Sequence, residues 1–344
     1  MKAYRNDGQH GEHGTPPPSE TGPYLLGVER ERALDRLVER HGGDRLVLGK
    51  SHQGREIVGY DWIVGGEGDG ASASGRPGVF LLSLLHPLEW VGFELHLDLL
   101  ARWLDSASPL PLGTRLSSVP IANVDGLAAL ELGGTAGWGR WARGNARGVD
   151  LNRNFPVDHR ARPRGLEWWP LHRPGRSALS EPETHAIAEW TRGRSLALAL
   201  SFHSFGEWIF SPPAGRWAPG PTTARHRQLA RSALTAGVTA HLASGDSAAA
   251  GRLRRYRETQ LGRWSPLFRA HGAEIDFLCA KSRTLSYLIE ISPGGIGAWG
   301  ARGLHRPACW FNPPDPTLHI QALSPVLDHL ALGALAASSA QTST

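Results

Sequence analysis

The segment at 148–156, Gly-Val-Asp-Leu-Asn-Arg-Asn-Phe-Pro, is typical of a loop that aims side chains, not of a helix or a strand. Arg153 offers a planar fork of donors that matches a carboxylate with two hydrogen bonds, and Asn152 adds amide donors beside it. A site for a free peptide terminus needs this combination. We therefore predict that Asn152 and Arg153 bind the terminal carboxylate of a peptide.

Lone ionisable residues end several apolar runs, at the points where strands would leave a core. His86 and Glu89 follow the run at 78–85, and His203 follows the run at 196–202. Two histidines and one glutamate, with a fourth position open, form a catalytic zinc arrangement. A His-x-x-Glu pair alone is weak, because such pairs also occur on ordinary surfaces. Together with the loop at 148–156, it predicts a metal site.

Glu290 lies within the apolar run Tyr-Leu-Ile-Glu-Ile at 287–291. A carboxylate buried on an apolar strand is costly unless it has a partner. The chemistry favours a general base, which takes a proton from the attacking water and passes it to the leaving amine. A structural ion pair with an arginine is the alternative.

Together these motifs resemble the zinc carboxypeptidases of the funnelin family, the group related to pancreatic carboxypeptidase A. The resemblance covers roughly residues 45 to 335. It implies one zinc ion per chain, and it implies that Arg143, just before an Asn-x-x-Gly-x-Asp run, stabilises the oxyanion. It also implies that Asp150 lies behind His86 and fixes its tautomer. The alternative interpretation is that Asp150 is a simple turn residue.

The family pattern departs from this sequence at one position. The family has a tyrosine 22 residues before the catalytic glutamate, and Phe268 stands there in this chain, while Gly272 and Asp276 keep their offsets. Phe268 can cap the site as an aromatic ring but cannot donate a phenol hydrogen bond. Ile275 occupies the specificity position, where isoleucine suits apolar or aromatic C-terminal residues; a core isoleucine is the other interpretation.

The resemblance predicts an enzyme that removes one C-terminal residue from a peptide substrate with a free carboxylate, with apolar or aromatic residues preferred. A murein-peptide amidase that cleaves a γ-D-glutamyl-diaminopimelate bond is the second possibility. A third is a non-catalytic peptide-binding pseudoenzyme, for which Phe268 is the sole support.

Composition narrows the remaining function classes. The chain has 344 residues, a net charge of +5 and a pI near 9.6, but its arginines are scattered, which predicts a solvated surface and no nucleic-acid partner. Two cysteines imply no disulfide framework. Neither a signal peptide nor a stretch long enough to span a bilayer is visible, so we expect a cytoplasmic protein without a membrane partner. The oligomeric state is left open.

Apolar strands alternate with helical patterns, which predicts a single-domain α/β/α sandwich with a central, mixed and largely parallel twisted sheet, as in carboxypeptidases. We expect a disordered or loosely held arm at 1–22, a catalytic domain at 23–335 and a flexible tail at 336–344. Within the domain, the pattern predicts a strand at 120–124 and a polar, Arg-rich excursion at 243–266 of the kind that forms lids or binding loops.

Overall fold

The computed structural model describes residues 23–66, 77–132, 142–159, 173–264, 269–282, 284–294, 304 and 306–342. Within these residues, eight strands form one mixed sheet in the order β1-β2-β4-β3-β5-β8-β6-β7. The strands are β1 Asp44–Lys50, β2 Glu56–Ile63, β3 Gly78–Ser83, β4 Arg115–Val119, β5 Leu196–His203, β6 Trp208–Ser211, β7 Arg257–Gln260 and β8 Leu285–Glu290.

Helices cover both faces of the sheet, which confirms the predicted α/β/α architecture. The helices are α1 Val28–His41, α2 Trp90–Leu104, α3 Val124–Leu132, α4 Pro182–Thr191, α5 Thr223–Ala243, α6 Ser247–Leu253, α7 Leu261–Trp264, α8 Glu274–Ser282, α9 Pro307–Phe311 and α10 Thr317–Thr342.

The centre of the sheet is parallel and buried on both faces. Strand β3 pairs in parallel with β4 and β5, and β5 pairs in parallel with β8. Alternate residues of β3 enter different cores: Val79 and Leu81 pack on one face, whereas Phe80 and Leu82 pack on the other. This two-sided burial explains the continuous apolar runs. It also brings the carboxyl ends of β3, β5 and β8 to the same edge of the sheet.

The strand predicted at 120–124 is wrong. The strand is Arg115–Val119, and α3 already begins at Val124. Two serines make this segment look like a loop, but both are fully buried and each has a partner. Ser117 Oγ donates to Asp61 Oδ1 at 2.5 Å, and Ser118 Oγ lies 2.7 Å from His96 Nε2.

The excursion predicted at 243–266 is instead structured, as α6, β7 and α7. Its arginines pair with a distant glutamate: Arg252 Nη1 and Arg255 Nε lie 2.9 and 3.0 Å from the carboxylate oxygens of Glu207. Because this partner is about 45 residues away in sequence, the charges alone suggested a solvated loop. Residues 265 and 266 lie outside the described part of the chain.

The C-terminal helix corrects two further predictions. It continues to Thr342, so residues 336–342 are helical and do not form a flexible tail; this segment is rich in alanine, which favours helix. By length and composition alone, Thr317–Ala340 could also cross a membrane, although 44% of an apolar 18-residue window within it is buried inside the protein. Leu323, Leu327 and Leu330 are fully buried, and the helix packs against α5, α6 and β5. A core helix meets the same criteria. The arm predicted at 1–22 lies outside the described residues.

Glu94 on α2 accepts a hydrogen bond from the segment that precedes α1, and the protonation of Glu94 should affect the stability of the protein. Its Oε1 accepts a hydrogen bond from Leu25 N at 2.8 Å, and burial raises the pKa of its carboxyl group to about 7. Because the pKa is raised in the folded state, the stabilising effect is present below the ordinary pKa of 4.5 and is lost as the pH rises through 7. Glu94→Gln, which keeps the acceptor and mimics the neutral acid, should therefore match wild type at about pH 4 and exceed it at about pH 8 by about 2 kcal/mol in the free energy of unfolding.

Urea unfolding at the two pH values measures this difference. Glu39→Gln is the matched control, since Glu39 is an exposed glutamate on α1, and it should show no such pH dependence. Equal stability of the Glu94 variant and wild type at pH 8 would contradict the prediction.

Candidate metal centre and active site

His86, Glu89 and His203 converge at the carboxyl edge of the parallel strands. His86 lies just beyond the end of β3, Glu89 directly precedes α2, and His203 is the last residue of β5. All three side chains are buried. His86 Nδ1 lies 2.9 Å from Glu89 Oε1, and His203 Nδ1 lies 2.9 Å from Glu89 Oε2 and 3.2 Å from His86 Nδ1. The sequence therefore predicted which side chains meet here.

The spacing of these atoms suits a zinc ion. Bonds of about 2.0–2.1 Å in a tetrahedral shell place neighbouring ligand atoms roughly 3.3 Å apart, close to the 3.2 Å between the two Nδ1 atoms. The other ring nitrogen of each histidine faces a carboxylate, so both Nδ1 atoms can present lone pairs to the same point. Two lone pairs and a carboxylate that converge on one point are a suitable set of ligands for a cation.

Asp150 organises the side of the cluster next to His86. Its Oδ1 lies 3.0 Å from His86 Nε2 and accepts a hydrogen bond from Asn152 N at 3.0 Å, while its Oδ2 accepts from Arg143 Nε at 2.8 Å. Arg143 Nη1 is 3.9 Å from Glu89 Oε1, so the arginine reaches towards the ligand cluster.

Glu274 lies behind the second histidine, His203, and was not predicted from the sequence. Its Oε1 is 3.2 Å from His203 Nε2, and its backbone N donates to Asn152 Oδ1 at 3.2 Å. Ser201 Oγ also lies near this nitrogen, at 3.0 Å. Glu274 is fully buried at the first residue of α8. The available signal was a carboxylate between two apolar residues, Ala273 and Ile275.

Glu290 is the last residue of β8 and the Cα partner of His203 across the β5–β8 pair. Its Oε2 is buried and has no hydrogen-bond partner among the described residues. Burial raises the pKa of this carboxyl group to about 8, with the charge of Glu89 adding to the rise, whereas His203 and Arg143 act in the opposite direction. A cation at the ligand cluster would also oppose the rise.

The charges of the ligand cluster act strongly on one another. Burial alone would raise the pKa of Glu89, but the two adjacent imidazoles outweigh it and lower this pKa to about 2. Burial would lower the pKa of His203, but Glu89 and Glu274 raise it to about 10. Burial is likewise overcome at Asp150, where Arg143 and His86 hold the pKa well below its usual range. The protein surroundings therefore favour positive charge at this point.

Asn152 and Arg153 lie in a short 3₁₀ turn, Leu151–Arg153, next to the metal ligands. Because Asn152 Oδ1 accepts from Glu274 N, its amide nitrogen is oriented as the donor. A neighbouring backbone holds this turn from outside: Phe155 N donates to Gly272 O at 3.0 Å. Gly272 has a φ of +71°, and a Cβ there would lie 2.2 Å from Arg153 O, so the close approach requires glycine.

A cavity of about 330 Å³ joins these groups. Its polar side includes the three metal-ligand candidates, Arg143, Asn152, Arg153 and Glu290. Its apolar side is formed by Phe205, Trp208, Phe210, Leu261, Trp264, Ala270, Leu288 and Phe311.

Ile275 has a different place from the one predicted. It is fully buried and packs in the same apolar cluster as Phe210, Leu261 and Leu288, but it is not among the residues that line the cavity. Ile275 therefore belongs to the core beneath the apolar wall, because side chains of β6, α7 and β8 cover it. Phe268, the predicted aromatic cap, lies outside the described residues.

A second His/Glu group lies away from the cavity, at His52, Glu181 and Glu183. The amide nitrogen of Asn145 donates to Glu181 Oε2 at 2.8 Å and to Glu183 Oε2 at 3.1 Å, and His52 Nε2 is 2.8 Å from Glu181 Oε2. The Oδ1 of Asn145 accepts from two backbone N–H groups, which fixes the orientation of the amide. Donors already occupy this cluster, and we interpret it as a structural network.

Comparison with known proteins places these features in a family. A family model described as zinc carboxypeptidase matches residues 31–318. Carboxypeptidase Z from Homo sapiens is 31% identical over 212 residues, which cover 53% of this chain and 30% of that protein. Gamma-D-glutamyl-L-diamino acid endopeptidase 1 from Lysinibacillus sphaericus is 32% identical over 126 residues, which cover 30% of this chain and 31% of that protein. The chain thus spans about a third of the length of these curated relatives.

Solved structures show the same fold. Carboxypeptidase A from Helicoverpa armigera superposes with a TM-score of 0.67 at 24% identity, covering 91% of this chain and 74% of that chain. The family match extends over most of the chain, and its cofactor is one zinc ion. The chain belongs to the zinc carboxypeptidase family.

Proposed function

We propose that this protein is a zinc-dependent carboxypeptidase that removes one residue from the C-terminus of a peptide. One observation carries the proposal: the 2-His-1-Glu cluster, Glu290 and the pair Asn152–Arg153 all face a single cavity. A metal-assisted peptide hydrolase with a carboxylate-binding group beside its ligands is thereby restricted to the last peptide bond. A cytoplasmic location and the absence of membrane and nucleic-acid partners stay predictions.

His86, Glu89 and His203 would hold the zinc ion. When bound, zinc supplies a Lewis acid that polarises the scissile carbonyl and increases the acidity of water. Glu290 has the chemistry of the general base: Oε2 is available in the cavity to take a proton from the attacking water and to deliver it to the leaving amine.

Arg143 and Arg153 would have separate roles in binding the charges of the substrate. Arg143 is fixed by Asp150 through Nε, so its other nitrogens can donate to the developing oxyanion. Arg153 and the amide nitrogen of Asn152 would bind the terminal carboxylate, with Arg153 itself held by a bond from Nη1 to Asn152 O at 2.6 Å.

The cavity supports a preference for apolar or aromatic C-terminal residues. Trp208 and Phe210 stack with ring centroids 5.7 Å apart, and Trp264 meets Phe210 edge to face at 6.1 Å. Leu261 and Leu288 extend this surface, so a large apolar side chain would bury its area against aromatic rings. These residues take over the specificity role that the sequence suggested for Ile275.

The first test compares wild type with Glu290→Gln. Mass spectrometry of a peptide mixture should show release of single C-terminal residues by wild type, and the variant should lose at least about a hundredfold in rate because the general base is absent. The zinc content of both proteins is measured in parallel and should be about one ion per chain.

Matched peptides with an amidated C-terminus are the substrate control, since they lack the carboxylate that Arg153 would bind. If zinc-loaded wild type releases no residue from any peptide, the general carboxypeptidase function is wrong. Murein peptides with a γ-D-glutamyl-diaminopimelate bond are then the next substrates, and inactivity on both classes indicates a peptide-binding protein.

Removal of zinc should leave the protein folded. The ligands sit at the edge of a sheet whose core is built from apolar contacts of β3, β5 and β8, so folding does not depend on the ion. We expect an unchanged far-ultraviolet circular dichroism spectrum after chelation, with a lower melting temperature that zinc restores, because a ligand of the native state stabilises it by mass action. Loss of secondary structure on chelation would contradict this expectation.

The apolar wall can be tested with two matched tryptophans. Trp264 and Trp217 are each 51% exposed, but Trp264 lines the cavity and Trp217 does not. Trp264→Ala should lower kcat/KM for a peptide ending in phenylalanine by about tenfold, from loss of aromatic contact, and should change an alanine-ending peptide by less than about twofold. Trp217→Ala should change both by less than about twofold. An equal loss for both peptides in the Trp264 variant would indicate a structural effect and remove the support for this pocket.

A further inference from the structure

Both histidines of the metal cluster have a carboxylate behind them. His86 Nε2 is 3.0 Å from Asp150 Oδ1, and His203 Nε2 is 3.2 Å from Glu274 Oε1. In each ring the nitrogen that faces the cluster is therefore Nδ1. The first carboxylate was predicted from the family resemblance, whereas the second is a property of this chain that only the structure shows.

The carboxylate of Glu274 is buried, so nearby positive groups must compensate its negative charge. The residue is 0% exposed, and its Oε2 is buried without a hydrogen-bond partner among the described residues. A buried carboxylate with an unsatisfied oxygen is costly unless nearby positive charge compensates it. The positive groups near Glu274 are His203, which it contacts, and Arg153.

We propose that Glu274 is a positioning residue for zinc, which accepts the Nε2–H of His203 and so presents Nδ1 of that ring to the ion. A carboxylate in this place fixes the tautomer and the ring orientation, and it makes the imidazole a more basic ligand. In this role Glu274 does not contact the substrate. It acts through His203. The inference rests on the zinc site of the proposed function but not on peptide cleavage.

A hydrogen bond connects Glu274 to the turn Leu151–Arg153, which would bind the terminal carboxylate. Its backbone N donates to Asn152 Oδ1, and Asn152 N donates to Asp150 Oδ1. Asp150, Asn152 and Glu274 thus form one chain of contacts that runs from behind His86 to behind His203. The two carboxylates that orient the histidines are connected through the residue that would receive the peptide terminus.

Ser201 is the competing partner, because its Oγ lies 3.0 Å from the same nitrogen of His203. The ring has a single Nε2–H to donate, and a carboxylate is a stronger acceptor than a neutral hydroxyl. Ser201 Oγ can instead donate its proton to a different acceptor, or it can contact His203 Nε2 together with Glu274. Substitution of each residue separately tells the two apart.

The test is the dissociation constant for zinc, measured by competition with a chromophoric chelator on the full chain. Glu274→Ala should weaken zinc binding by about 10- to 100-fold, the range typical for partners of metal-bound histidines. Glu274→Gln keeps an acceptor oxygen and should lose less than Glu274→Ala, while Ser201→Ala should lose less than about threefold. Glu183 is another fully buried glutamate, and one of its oxygens has no hydrogen-bond partner among the described residues. The Glu183→Gln variant should bind zinc as wild type does.

Thermal unfolding of the metal-free variants separates zinc affinity from stability, because a merely structural role would lower the melting temperature without a specific loss of zinc. If Glu274→Ala does not fold, the isosteric Glu274→Gln variant still tests the charge, and it should weaken zinc by at least about threefold. Zinc affinities of the folded Glu274 variants within about twofold of wild type would overturn the proposal. So would a loss in Ser201→Ala equal to that in the Glu274 variants. Inactivity on peptides together with the expected zinc affinities would leave this inference intact and reject the carboxypeptidase function alone.

Discussion

Burial of like charges is the constraint on which the site depends. Four carboxylates surround two imidazoles at the carboxyl edge of the central strands: Glu89, Asp150, Glu274 and Glu290. Such groups are taken out of water only if charge and hydrogen bonds compensate them. Two arginines supply part of that compensation, and a zinc ion held by His86, Glu89 and His203 would supply the remainder.

The parallel centre of the sheet makes this concentration of charge possible. Strands β3, β5 and β8 are apolar along their length, so each delivers its ionisable residue only at or just beyond its end. Because the strands are parallel neighbours, those ends meet at one edge. Most of the apolar wall of the cavity comes from β6, α7, α9 and Leu288 of β8, so the cavity has an apolar side and a charged side.

The sequence predicted what local pattern determines and missed what distant partners determine. The buried parallel strands were recognised because their apolar runs are continuous, and the ionisable residues at their ends identified the metal cluster. The strand that is β4 was predicted too late in the sequence, at 120–124. Ser117 and Ser118 are polar, and His96 and Asp61, which pair with them, lie elsewhere in the chain. The segment at 243–266 was misinterpreted for the same reason, because Glu207, the partner of Arg252 and Arg255, is remote in sequence.

Glu274 was missed for a related reason, since nothing within its own segment shows that His203 faces it. Ile275 illustrates the opposite case. The family resemblance identified the correct neighbourhood, an apolar cluster next to the metal ligands, but sequence alone could not decide which members of the cluster reach the cavity surface. That choice depends on how β6 and α7 cover the core, and it is therefore a property of packing.

The two arginines of the site show how the surroundings assign different tasks to the same side chain. Burial acts to lower the pKa of Arg143, but Asp150 and Glu89 outweigh it, so the pKa is raised and the charge of Arg143 is compensated by the protein. At Arg153 burial prevails over the attraction of Asp150, with Arg143 adding repulsion, and the pKa is lowered. The same guanidinium chemistry is thus placed in two different electrostatic environments within one cavity. A terminal carboxylate bound next to Arg153 would act against the lowering of its pKa, which agrees with the role proposed for this loop.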